Sequence, residues 1–187
     1  MDNERVKKLI RELIIEIGED PTREGLCNTP ERIASAYKEI FSGYDSNSEL
    51  SVQFSEDSES VVIRDIQFYS MCEHHMLPFF GKCHIAYLPR NKVIGLSKIP
   101  RVVEVFSRRI QVQERLTNQI AKTLSDKLNP LGDRVNVEAT HLCISMRGVE
   151  KQNSYAITSS LRGEFEQDSK TRQEFMGFLR LNREPFV

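Results

Sequence analysis

The stretch "VVIRDIQFYSMCEHHMLPFFGKCHIAYL", residues 61–88, holds two strand-like runs around one crowded motif. Val61–Tyr69 is dense in β-branched and aromatic residues, and Lys82–Leu88 repeats that composition until "PRN" stops it. Both runs read as strands. "KVIGL" reads as an extension of the same ribbon. Two helical patterns follow, one starting near Ser97 with Val102, Val103 and Phe106, the other carrying Val112, Leu116, Ile120, Leu124 and Leu128 until "NPLGD" stops it. "VNVEATHLCISM" and "SYAITSSLRGEF" read as two further strands, and "TRQEFMGFLRL" as a last helix with Thr171 and Glu174 as a capping box. Upstream, Val6, Leu9, Ile10, Leu13, Ile14 and Ile17 recur at helical spacing before Gly18. "CNTPERIASAYKEIF" adds a second helix with Thr29 as N-cap and Pro30 in the first turn. The serine-rich acidic run Asp45–Ser60 reads as a loop. The order predicts an α+β protein: a helical arm and loop over residues 1–60, then a ββααββ antiparallel sheet backed by helices over residues 61–187.

Length and charge narrow the function classes. The 187 residues suffice for one substantial core, so no metal is needed merely to hold the chain together. With 26 basic against 27 acidic residues the net charge is -1, and no global field draws nucleic acid or an anionic membrane. Neither a signal peptide nor a run of roughly 20 apolar residues is found, which points to a cytoplasmic protein. The four cysteines, Cys27, Cys72, Cys83 and Cys143, are too scattered for a disulfide framework and read as thiols or metal ligands.

Within the opening stretch, Cys72, Glu73, His74 and His75 put a thiol, a carboxylate and two imidazoles side by side. Cys72 and His75 can converge on one ion in a turn, and thiolate with imidazole suits zinc. Side chains alternate along a strand, so in "HLC" His141 and Cys143 share one face, with Leu142, Ile144 and Met146 on the other toward the helices. Two shells stay open: Cys72, His75, His141 and Cys143 closing a structural zinc, or three ligands plus water, with His74 and His141 free for proton transfer. Cys83 and His84 face opposite ways on their strand and are expected to be ordinary strand residues, with Cys27 packing the second helix.

An anion-binding side is also legible. Ser97, Lys98 and Arg101 fall at a helix start, where free N–H groups and the helix dipole favour negative charge. Arg147 follows the Cys143 segment, with Gly148 allowing a tight turn. Together, near a candidate metal site, these are candidates for a phosphate pocket. Glu114, beside Gln113, is a carboxylate able to accept from the N1–H and exocyclic amine of a purine.

The motifs "CEHHMLPFFGK", "GLSKIPRVVEVFSRRIQVQERLT", "ATHLCISMRGV" and "TRQEF", with "GEDPTREGL" and "TPERIA" in the arm, resemble the zinc-dependent GTP cyclohydrolase I family. The resemblance implies a tunnelling fold assembled as a homodecamer with active sites at subunit interfaces. It implies zinc on Cys72, His75 and Cys143, proton transfer by His74 and His141, guanine held by Gln113 and Glu114, triphosphate by Lys98, Arg101 and Arg147, and Ser97 near the ribose. The implied reaction opens the imidazole ring of GTP, releases C8 as formate and recloses to 7,8-dihydroneopterin triphosphate. No long segment precedes the first helix, so control by a regulatory partner protein is not expected. A tunnelling-fold nitrile reductase and a zinc-stabilised scaffold are the rival readings, which metal content and an exchangeable water ligand separate.

Overall fold

The computed structural model describes residues 1–46, 53–56 and 58–181. Helix α1 (Asn3–Glu16) is capped by Asp2, whose carboxylate accepts from Arg5 N at 3.1 Å, and Gly18 follows at φ 95°. It buries Ile10 and Ile14 toward α2 (Thr29–Ile40), and Lys7 joins Glu4 to Glu31 across the pair. Thr29 is the first residue of α2 and Asn28 its cap, one position earlier than the sequence suggests. Cys27 does not pack the helix. It is exposed and its thiol donates to Glu24 O, because the preceding turn has already closed away from the core.

A 3-10 turn, Ser42–Tyr44, docks the arm: Gly43 N donates to Arg108 O, and Arg109 Nε donates to Gly43 O, both at 3.0 Å. The expected loop 45–60 lies partly outside the described residues; within it β1 (Gln53–Phe54) is a short strand. Then come β2 (Val61–Cys72), β3 (Pro78–Leu88), β4 (Val93–Ile94), α3 (Lys98–Ser107), β5 (Ile110–Gln111), α4 (Gln113–Leu128) and β6 (Gly132–His141). A helical turn α5 (Leu142–Ser145), β7 (Ala156–Gly163), a second turn α6 (Glu164–Gln167) and α7 (Ser169–Arg180) complete the chain.

The main sheet has the order β5-β2-β3-β6-β7, antiparallel except for the β2–β5 pair. "KVIGL" does not extend the β2–β3 ribbon: β3 already has β2 on one side and β6 on the other, so Val93 and Ile94 pair instead with β1. The core lies between one sheet face and helices α3 and α4. Phe79, Cys83, Ile85, Tyr87, Val135 and Val137 meet Ile99, Val102, Val103, Leu116, Ile120 and Leu124, all within 1% of full burial. Alternation puts Cys83 on this face and His84 on the other, where Ala86 meets Phe165 and Phe175 of the C-terminal helices. Helix α7 is capped by Asp168, which accepts from Lys170 N and Thr171 N, and not by the anticipated Thr171–Glu174 box.

The largest departure from the sequence reading is at "HLC". Strand β6 ends at His141, and Leu142–Ser145 turns helically, with Met146 N donating to Leu142 O and Ser145 Oγ to His141 O. His141 and Cys143 therefore do not share a strand face, and Met146 is exposed instead of packing toward the helices.

Candidate metal and proton-transfer site

Strand β2 delivers Cys72, buried, to the edge of the core. The chain then reverses: Cys72 N donates to Leu77 O at 2.9 Å and Met76 N to Cys72 O at 2.8 Å, with Met76 at φ 51°. This tight hairpin holds Glu73, His74 and His75 outward. Glu73 is anchored twice, through its amide to Gln111 O at 3.0 Å and through a two-point ion pair with Arg115 at 2.5 and 3.2 Å. Arg115 holds the Glu73 carboxyl below the ordinary range.

Cys143 reaches the same place from α5. Its Sγ is 4.0 Å from Cys72 Sγ, and one ligand atom each of Cys72, His75 and Cys143 lies within 4.8 Å of the others. Two sulfurs bound at about 2.3 Å to a tetrahedral ion stand about 3.8 Å apart, so the donor set fits zinc. Burial pushes the Cys143 thiol up, the nearby Cys72 adds to this, and Arg147 opposes it. A bound cation would displace those protons. The ring of His74 lies edge-on to His75, with Nδ1 4.0 Å from Cys72 Sγ.

His141 stands beside this group with different neighbours. It pairs with Phe79 in the β3–β6 register, and the two rings stack at 4.6 Å and 3°. Its Nε2 lies 2.7 Å from Gln113 Oε1, and it is not among the residues whose ligand atoms converge with Cys72, His75 and Cys143. Burial lowers its pKa, against the opposing charge of Glu114. Glu114 itself is exposed, whereas Gln113 is buried, with Nε2 bonded to Val137 O, Ala156 O and Thr158 Oγ1. The expectation that Gln113 holds a base beside Glu114 meets this obstacle: its amide is already used inside the protein. Composition and spacing gave no sign of the Gln113–His141 bond, the Phe79 stack or the Glu73–Arg115 pair, because each joins distant segments.

The residues expected to bind an anion do not gather around the candidate metal donors within one chain. Ser70 Oγ donates to Arg109 O, and β5, just past α3, pairs with Met71 and Cys72. The C-terminal end of α3 is thus the end near Cys72, and its 10 residues carry Ser97 and Lys98 about 15 Å away. Near the start of α3, Ile94 N donates to the hydroxyl of Tyr87, which pairs with Val61 at the other end of β2. Arg101 borders a cleft of about 310 Å³ with Ser42, Gly43, Glu104 and Arg108. Arg147 lies close enough to act on Cys143.

A family model described as GTP cyclohydrolase I matches residues 6–180. The GTP cyclohydrolase 1 of Leptospira biflexa is 52% identical over 179 residues, covering 94% of this chain and 98% of that protein. That of Caldanaerobacter subterraneus is 50% identical over 187 residues, covering 98% and 100%, and that of Methylococcus capsulatus 53% over 178, covering 93% and 96%. A solved apo structure of the archaeosine synthase QueF-Like aligns with TM-score 0.47 and 15% identity over 58% of this chain and 97% of that one, a likeness that carries no argument about the site.

Proposed function

The chain belongs to the GTP cyclohydrolase I family and converts GTP to 7,8-dihydroneopterin triphosphate, and we propose that Cys72, His75 and Cys143 hold a zinc ion for this reaction while His74 and His141 move its protons. The observation that carries the assignment is the convergence of two thiols and one imidazole, 71 residues apart in sequence, with the sulfurs 4.0 Å from each other. Zinc in such a set supplies a Lewis acid and a water whose pKa falls to about 7.

The chain's own groups do the rest. Glu114, exposed at the first turn of α4, accepts from guanine N1–H and the exocyclic amine. His141, held by Phe79 and Gln113, and His74, beside Cys72, exchange protons with the imidazole ring of GTP as C8 gains oxygen and its bonds to nitrogen break. An imidazole suits both directions at neutral pH. C8 leaves as formate, and the ring recloses after rearrangement of the ribose. Lys98 and Arg101 at the α3 N-terminus, with Arg147, take the triphosphate, and Ser97 lies by the ribose.

The distance between the α3 N-terminus and Cys72 supports a further element of the reading. Lys98 and Arg101 act on the same GTP as the metal donors if a neighbouring copy brings its α3 to this chain's Cys72. A homodecamer of the tunnelling fold, with sites at its interfaces, meets that need. No helix among the described residues is long and apolar enough to cross a membrane. We place the enzyme in the cytoplasm, where GTP is at hand and ligand thiols stay reduced.

Replacing Cys143 by Ser should abolish both bound zinc and formate release while the assembled protein still folds. A Cys143→Ser variant with full activity would overturn the assignment. The closed structural shell is disfavoured because His141 is not among the residues whose ligand atoms converge with Cys72, His75 and Cys143.

A further inference from the structure

Gln113 opens α4 with its side chain 3% exposed and both ends of its amide bonded. Nε2 lies 3.0 Å from Val137 O, 3.1 Å from Ala156 O and 3.2 Å from Thr158 Oγ1, and Oε1 lies 2.7 Å from His141 Nε2. Which end is which follows from what the neighbours can do. Two backbone carbonyls can only accept, so the NH2 must face β6 and β7. A reversed amide would set its oxygen against both of them.

The surrounding hydroxyls complete the assignment. Thr117 Oγ1 donates to Gln113 O at 2.8 Å, so it can only accept across its 2.6 Å contact with Thr158 Oγ1. Thr158 donates there and keeps a lone pair for Gln113 Nε2. Every donor in the ring has an acceptor. The amide oxygen, an acceptor only, is then committed to His141, and the hydrogen between them must belong to His141 Nε2. Stacking on Phe79 holds the imidazole plane, and Nδ1 has no protein partner among the described residues.

We propose that Gln113 is a positioning residue that fixes His141 as the tautomer protonated on Nε2, so that Nδ1 is the atom that takes and returns the proton in ring opening. This rests on the reading of His141 as a proton-transfer group. The proton lost by water, as its oxygen bonds to C8 of GTP, is taken up at Nδ1. It is handed to the ring nitrogen whose bond to C8 breaks, and Nε2–H stays on Gln113 throughout. The partner of a catalytic imidazole commonly sets which nitrogen is reactive, and a wrong tautomer is costly even when the geometry survives.

The chain has only four histidines, so solid-state 15N NMR of the zinc-loaded, assembled protein labelled in histidine resolves the point directly. The His141 signals are assigned by their loss in His141→Asn. At mildly alkaline pH the expected spectrum shows His141 protonated on Nε2 alone, and a proton on Nδ1 or a mixture overturns the proposal. Gln113→Met should give a mixture of tautomers and lower kcat by at least about 10²-fold with KM for GTP unchanged. A raised KM with kcat kept would make Gln113 a base-holding residue and overturn the proposal equally. If Gln113→Met fails to assemble, the wild-type spectrum alone decides. Should His141→Asn keep its rate, the proton-transfer reading itself fails, an outcome separate from a wrong tautomer in an enzyme that needs His141.

Discussion

Gly81→Ala should damage the metal site without touching a ligand. Gly81 pairs with Ala139 in the β3–β6 ladder, two positions from the Phe79–His141 pair. A Cβ there would lie 1.9 Å from Glu138 O, 2.7 Å from Ala139 Cα and 2.9 Å from Glu138 C. All three are backbone atoms, so no rotamer change relieves the contact. To restore an ordinary separation of about 3.4 Å the strands must part locally by about 1.5 Å, which breaks roughly two ladder hydrogen bonds and opens the adjoining packing. At about 1 kcal/mol per bond plus lost packing, the cost is about 2–4 kcal/mol. Because β6 runs on into His141 and Cys143, the shift also reaches the site, where a misplacement of about 1 Å costs about 10²-fold in rate. Urea unfolding at fixed protomer concentration, zinc content and pterin fluorescence from GTP form the assay. Wild-type stability together with wild-type zinc and activity in Gly81→Ala would refute the close β3–β6 approach and the link drawn from it to the site.

Two further outcomes follow from other parts of the structure. Asp133 is buried, and burial pushes its pKa up to about 6 against the opposing charge of Arg162 and the nearby Ser125 hydroxyl. Folding therefore favours the protonated form, and the stability it confers is full below about pH 4 and lost as pH rises through about 6. Asp133→Asn should gain about 1–3 kcal/mol over wild type at pH 8 and nothing at pH 4, so a gain independent of pH in denaturant titrations counts against this account. Arg115→Met should release the Glu73 carboxylate and loosen the hairpin bearing His75, weakening metal affinity about 10-fold in chelator competition with the fold intact. Unchanged affinity would show that the Gln111–Glu73 backbone bond suffices to hold the hairpin.

Much of the sheet was legible because its strands are long and rich in β-branched residues, and α3 and α4 because apolar residues recur at helical spacing over several turns. The failures fall where a short apolar run suits two conformations. "HLCIS" has the composition of a strand, and only the backbone bond from Met146 to Leu142 reveals a helical turn. That turn still brings Cys143 to Cys72, but the shared face inferred for His141 and Cys143 does not exist. "KVIGL" failed for a topological reason, since an occupied strand cannot be extended sideways. The cap of α7 went to Asp168, three residues before the expected Thr171, because a carboxylate can accept from two amides at once. At the site, the Cys72–His75 spacing announced itself, whereas the inward turn of Gln113 depends on β6 and β7 and leaves no local mark.

The three candidate donors also carry information about when the site can come into being. Cys72 and His75 belong to one hairpin and can meet as soon as β2 and β3 pair, but Cys143 follows 71 residues later, at the far end of β6. A chain emerging from synthesis can offer at most two of the three until β6 pairs with β3, and the third candidate donor arrives with the closing of that ladder. A metal held by all three would therefore be acquired only after that pairing. An incompletely folded copy would then hold the ion poorly, and the arrangement would double as a quality check on the chain that carries it.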